Sequence, residues 1–159
     1  MQRRTLLHAT VALLGTAALP ASAAIKTVAE VWKSPTCGCC HDWVKHMEDN
    51  GFEVKTYDVS EAAKAALRSK LGMADKFGSC HTALIGGYVV EGHVPAREIR
   101  QLLRERPRAI GLAVPGMPIG SPGMDGPEYD GRKDTYAVLL VLRDGNSSVY
   151  QRYTGSTFK

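Results

Sequence analysis

The sequence predicts an α/β fold, and three observations predict it. Stretches of period-two alternation, such as Thr27 to Lys33, are followed by stretches whose apolar residues recur every three to four positions, such as Cys40 to Met47. Glycine, proline and Asn-Gly breaks separate them. An apolar share of 44% with 23% charged residues is that of an ordinary globular domain.

The first residues are set aside. "MQRRTLLHATVALLGTAALPASAA" has a basic start, an apolar run from Val11 to Leu19 and the small-residue pattern Ala21-Ser22-Ala23. It reads as a signal peptide over residues 1–23, and Pro20 and the short run argue against a spanning helix. Arg3-Arg4 fits either twin-arginine or Sec export. Cleavage leaves about 135 residues, the size of one domain, over 24–159. The formal charge of +4 falls to about +2 once Arg3 and Arg4 are gone. So weak and scattered a charge excludes a nucleic-acid partner, and nothing in the mature part calls for a membrane.

Thr27 to Lys33 reads as a strand ended by Ser34-Pro35. Cys40, Trp43, Val44 and Met47 follow the amphipathic-helix template, and Asn50-Gly51 closes that helix. Phe52 to Val59 is a second strand, with Phe52, Val54 and Tyr57 as its apolar members. Ser60 caps a helix running to Leu71, with Ala63, Ala66, Leu67 and Leu71 as its inward face. "HTALIGGYVVEGHV" is a β-hairpin around Gly86-Gly87. Pro95 opens a third helix with Ile99, Leu102 and Leu103 inward, and Pro107 stops it. The order β-α-β-α-β-β-α is a minimal thioredoxin-like unit. A Pro/Gly-rich loop without elements of its own follows over 107–131, and a C-terminal hairpin over 135–153 turns at Asp144-Gly145. A hairpin after the loop pins it at both ends, which favours an ordered loop.

The chemistry concentrates in "KSPTCGCCHDW". Cys37 and Cys40 form a C-x-x-C pair between strand and helix, where thioredoxin-like proteins hold redox cysteines. The helix start favours thiolate, which is both the nucleophile of disulfide exchange and a metal ligand. Cys39 complicates a purely redox reading, because it competes for the disulfide. Three sulfurs at one helix start suit a soft metal. The fourth, Cys80, is placed by register. With Gly86-Gly87 as the turn, Ile85 faces Tyr88, Ala83 faces Val90 and Cys80 faces His93. In a thioredoxin-like unit the loop entering this strand lies against the C-x-x-C turn, so Cys80 approaches Cys37, Cys39 and Cys40 with His93 beside it. His81 is either a ligand or a cap of the hairpin. His41 reads as solvated and His46 as uninvolved. Met117 and Met124 in "PGMPIGSPGMDG" are thioether candidates for Cu(I), or plugs that pack the loop down. Two structural disulfides, the default for four cysteines in an exported chain, fit poorly because Cys39 and Cys40 are adjacent.

"SPTCGCCHDWVKHM", "SCHTALIGGYVVEGHVPAREIRQLL" and "AIGLAVPGMPIGSPGMDGP" resemble the CopG-like periplasmic metal-binding family of bacteria, long catalogued as a domain of unknown function. The resemblance covers nearly all of the mature chain and shows no departure at the cysteines. It implies a thioredoxin-like fold, an association with copper resistance, and metal ligation by Cys37, Cys39, Cys40 and Cys80 with His93 as a further ligand.

Three rivals stand beside it. "CGCCH", Cys37 to His41, satisfies the haem-attachment pattern, with Met117 or Met124 as an axial ligand. Small c-type cytochromes are helical, however, and Cys39 is a hazard during attachment. A thiol–disulfide oxidoreductase using Cys37 and Cys40 fits the fold. Zinc held by four cysteines fits the ligand type but lacks two separated C-x-x-C pairs. The sequence therefore predicts an exported, periplasmic protein that holds copper as Cu(I), in a multinuclear Cys/His cluster, for copper resistance or handling. Its expected partners are metal ions and other periplasmic copper-handling proteins. Copper redox activity stays open.

Overall fold

The structure, a computed structural model, describes residues 26–156, so the expected leader over 1–23 lies outside the described residues. Its strands are β1 (Val28–Lys33), β2 (Glu53–Asp58), β3 (His81–Ile85), β4 (Tyr88–Glu91), β5 (Ala109–Ala113), β6 (Tyr136–Leu142) and β7 (Ser147–Tyr153). Its α-helices are α1 (Gly38–Asp49), α2 (Glu61–Lys70) and α3 (Ala96–Glu105), beside two single 3-10 turns at Asp75–Phe77 and Pro127–Tyr129. The strands form one mixed seven-stranded sheet in the order β2-β1-β3-β4-β5-β6-β7. β1 runs parallel to β2 and antiparallel to β3, and β4 runs parallel to β5. No helix among the described residues is long and apolar enough to cross a membrane.

Sequence dictates each local choice. Gly86 and Gly87 both adopt positive φ, 57° and 86°, which a primed hairpin turn demands. The turn fixes the register Ile85 to Tyr88 and Ala83 to Val90, as the sequence predicts. Ser60 caps α2 by accepting the Ala63 N–H at 3.2 Å. Trp43 and Met47 of α1 and Ile99 and Leu102 of α3 pack on the same sheet face, against Val31, Ala83, Ile85, Val90 and Leu112. Trp43 also donates its indole N–H to the Val94 carbonyl at 2.9 Å, so its one polar atom is satisfied. A smaller cluster of Met73, Phe77, Val89, Ala113 and Val141 covers the opposite face.

Three expectations are corrected. The segment 107–131 is not a loop throughout: Ala109–Ala113 is β5, parallel to β4 and antiparallel to β6. Its apolar run "AIGLA" is short, and the prolines around it conceal it. Of the expected inward face of α2, Leu71 packs on the Met73 cluster and Leu67 is half-buried, but Ala63 and Ala66 are exposed and the buried residues are Lys64 and Arg68. The reason is electrostatic. Arg68 reaches the fully buried Glu91 on β4 at 3.3 Å and Asp75 at 2.8 Å, and Lys64 reaches the Cys80 carbonyl at 2.6 Å. Pro95 precedes α3 as its N-cap rather than opening it.

The segment after β5 is ordered by its own bonds. Gly120 N–H donates to the Met124 carbonyl at 2.7 Å, and Ile119 N–H donates to the Asp134 carboxylate at 2.8 Å. Gly123 seats this loop on the first turn of α1. Its φ is +84°, and a Cβ there would lie 2.5 Å from the Cys39 carbonyl oxygen and 2.8 Å from the Trp43 nitrogen. Only glycine allows so close an approach.

Candidate metal centre

The four cysteines converge. Cys37 is the N-cap of α1, with extended backbone and no side-chain capping bond, so no cap holds its sulfur away from the cluster. Cys39 and Cys40 lie in the first turn of α1, and Cys80 immediately precedes β3. The sulfurs of all four lie within 4.8 Å of one another. Cys37 Sγ is 3.4 Å from Cys39 Sγ, and Cys39 Sγ is 3.9 Å from Cys80 Sγ. Cys37 and Cys40 are joined as a disulfide across a Cα–Cα distance of 5.4 Å, and Cys39 and Cys80 are free thiols. In this state the sulfur donors are Cys39 and Cys80, and two-electron reduction adds the other two.

The histidines divide. His93 Nε2 sits 2.9 Å from Cys80 Sγ. Its Nδ1–H donates to the Pro122 carbonyl at 2.7 Å, which leaves the Nε2 lone pair facing the thiol. A backbone carbonyl fixing the far nitrogen is the usual support of a metal-ligating imidazole. His81 Nδ1 is 3.3 Å from Cys80 Sγ, while its buried Nε2 has no hydrogen-bond partner. Its ring lies 4.3 Å from that of Trp43. Cys80, His81 and His93 form a second group of donors within 4.8 Å of one another. His41 is exposed, and its Nε2 meets Lys33 Nζ at 2.8 Å. The haem-attachment reading finds no support in that arrangement, because its axial histidine is turned to a lysine. His46 is involved, but away from the cluster: its Nε2 accepts the Ala96 N–H at 3.1 Å and so caps α3.

The methionines part as well. Met117 Sδ stands 3.9 Å from Cys39 Sγ, on the cluster. Met124 is buried, and its sulfur accepts the Tyr129 hydroxyl at 3.4 Å, with no close approach to a cysteine sulfur among the described residues.

Residues 77–124, which carry Cys80, His81, His93 and both methionines, match the family model described as "Protein of unknown function, DUF411". The chain is similar to two solved structures of a copper resistance protein CopG. Form 1 is 45% identical with a TM-score of 0.74, over 82% of this chain and all of that one. The chain belongs to the CopG family. Form 2 is 48% identical with a TM-score of 0.72, over 81% of this chain and 99% of that one. No curated protein matches.

The electrostatics suit a CopG-family metal site. Burial pushes the Cys80 thiol up to about 12, and the neighbouring Cys39 adds to the rise. Burial also holds the His81 and His93 imidazoles below their ordinary value, so both are neutral at neutral pH and free to ligate. A buried thiol that resists losing its proton to water gives it up to a cation that binds the sulfur. Two buried lysines bond to residues in or next to the cluster. Lys64, only 3% exposed, donates to the Cys80 carbonyl at 2.6 Å and pairs with Glu61. Lys33 pairs with Asp58 at 2.8 Å. Neither lysine was legible as part of the site. The sole signal for Lys64 is a basic residue four before Arg68 on a helix otherwise rich in alanine. The donor set fits a soft metal such as copper: thiolates, neutral imidazoles and a thioether, with no carboxylate in either donor group.

Proposed function

We propose that this chain is an exported copper-binding protein that holds Cu(I) in a Cys/His cluster, in copper resistance or handling. One observation carries the reading: four cysteine sulfurs lie within 4.8 Å of one another, and a carbonyl-oriented imidazole sits 2.9 Å from one of them. Reduced Cys37 and Cys40 join Cys39, Cys80 and His93 as ligands, with His81 at the margin and the Met117 thioether standing beside the cluster. Met124 stands farther from the case than the sequence alone implied. Clustered thiolates can bridge ions, which favours more than one Cu(I) per chain. Bare thiolates crowded in a low-dielectric site repel, and bound cations relieve that repulsion. We read the β1-to-α3 frame as thioredoxin-like and the protein as periplasmic after loss of its leader, with other copper-handling proteins there as partners.

The second reading is a thiol–disulfide oxidoreductase, favoured by the Cys37–Cys40 disulfide. The same set of variants separates the two. The reduced chain, loaded anaerobically, is expected to hold more than one copper, and serine at Cys37, Cys39, Cys40 or Cys80 is expected to lower that content in each case. Full copper retention in C80S would refute the cluster. Insulin reduction lost in C37S and C40S but kept in C80S would instead establish the oxidoreductase.

A further inference from the structure

We infer that Met117 is the exchange port of the cluster, the donor through which Cu(I) enters and leaves, rather than one of its resident ligands. The inference rests on the copper-cluster reading above. Met117 is 52% exposed, whereas Cys40 and His93 are fully buried and Cys37, Cys39 and Cys80 are half-buried. Yet its sulfur lies 3.9 Å from Cys39 Sγ. Among the described residues, it is the most exposed soft donor that stands beside a cysteine sulfur. A cavity of about 280 Å³ adjoins it, lined by Cys37, Glu61, Lys64, Ser79, Cys80 and Met117. Solvent therefore reaches the cluster on the side where Met117 stands.

The backbone around Met117 suits a port. Gly116 is held to the Cys80 loop on both sides: its carbonyl accepts the Ser79 hydroxyl, and its N–H donates to the Gly78 carbonyl at 3.2 Å. The anchor keeps the thioether beside the cluster, while the half-exposed side chain beyond it has three rotatable bonds. Met124, seven residues on, is the contrast: buried, with its sulfur already engaged by Tyr129.

The chemistry is ligand exchange without electron transfer. A thioether is neutral and binds Cu(I) more weakly than a thiolate does. An incoming complex of Cu(I) with a soft chelator or carrier accepts the Met117 sulfur as an added ligand. One bond to the carrier breaks as Cys39 sulfur binds and its thiol proton passes to solvent; the remaining carrier bonds and the Met117 bond then give way as the neighbouring cysteine sulfurs bind, which frees the carrier. Release runs the same steps backward.

The test follows transfer from Cu(I)–bicinchoninate to the reduced full chain by loss of the chelator's visible absorbance in stopped flow. Met117→Leu is expected to slow transfer at least ten-fold, with copper bound at equilibrium and the competition midpoint both within two-fold of the unaltered chain. Met124→Leu is expected to leave the rate unchanged. A Met117→Leu rate within two-fold of the unaltered chain overturns the port. So does a fall in bound copper that matches the fall in rate, since Met117 is then a resident ligand. An unaltered chain that takes up no copper at all is a different result, and it overturns the cluster reading itself.

Discussion

Substituting Gly123 by alanine tests whether the loop is seated on α1 as a functional part of the site. The residue has φ +84°, where a side chain costs about 1–2 kcal/mol. The added methyl would also stand 2.5 Å from the Cys39 oxygen and 2.8 Å from the Trp43 nitrogen. Both are main-chain atoms in the first turns of α1, so neither can rotate away, and the loop must lift. Strain and lost contacts together come to about 2–4 kcal/mol. At about 3 °C per kcal/mol for a chain of this size, the melting temperature should fall by about 6–12 °C. Lifting the loop also withdraws the Pro122 carbonyl from His93 Nδ1, so copper loss to a chelator should accelerate. Gly38→Ala is the matched control. It lies in the same turn of α1 with nothing within 4 Å of the new methyl, and alanine there should leave stability unchanged or raise it by up to about 1 kcal/mol. Thermal melts by circular dichroism and chelator-release kinetics read both effects. A G123A protein that melts with the unaltered chain and releases copper at the same rate would show that the loop's seat on α1 is incidental.

The remaining predictions concern the supports of the site. Glu91 accepts from Ser79 N–H at 2.7 Å, from the Thr82 hydroxyl at 2.6 Å and from Arg68 at 3.3 Å, all on one buried carboxylate. Glu91→Ala strands those donors and should cost about 3–5 kcal/mol in urea unfolding; a loss under about 1 kcal/mol would contradict the network. His46 is held below its ordinary value chiefly by burial, and it accepts the Ala96 N–H only when unprotonated. A depressed folded value means that its contribution is complete above about pH 6.5 and is lost as pH falls from there through the lowered value. His46→Ala should therefore lose about 0.5–1.5 kcal/mol at pH 7.5 and progressively less toward pH 5. A difference constant across that range would disprove the cap. Deleting 115–124, which removes both methionines and the Pro122 carbonyl, should speed copper release to a chelator, and an unchanged rate would dismiss the loop as part of the site.

Much of the site was readable before the fold was known. The Gly86-Gly87 turn forces a register, the register sets Cys80 opposite His93, and the two side chains do meet. What escaped the sequence escaped for identifiable reasons. β5 is five residues of Ala, Ile, Gly and Leu in proline-rich surroundings, and its pairing with β4 and β6 depends on distant strands. The buried face of α2 contradicts apolar periodicity because a carboxylate and a carbonyl wait beneath it for Arg68 and Lys64. The orienting group on His93 is a main-chain oxygen, which leaves no mark in residue identity. His46 reads as uninvolved from sequence, but the start of α3 brings the Ala96 N–H within its reach.

The bond from Pro122 to His93 has a consequence for how the protein can be adjusted. The segment whose Pro122 carbonyl aims an imidazole at the cluster also carries the exposed Met117 thioether, so under the copper reading grip and access are a single mechanical variable. A substitution that makes delivery easier by loosening this segment will weaken retention in proportion. Faster turnover without leakage must come from the exposed sulfur on the other limb of the loop.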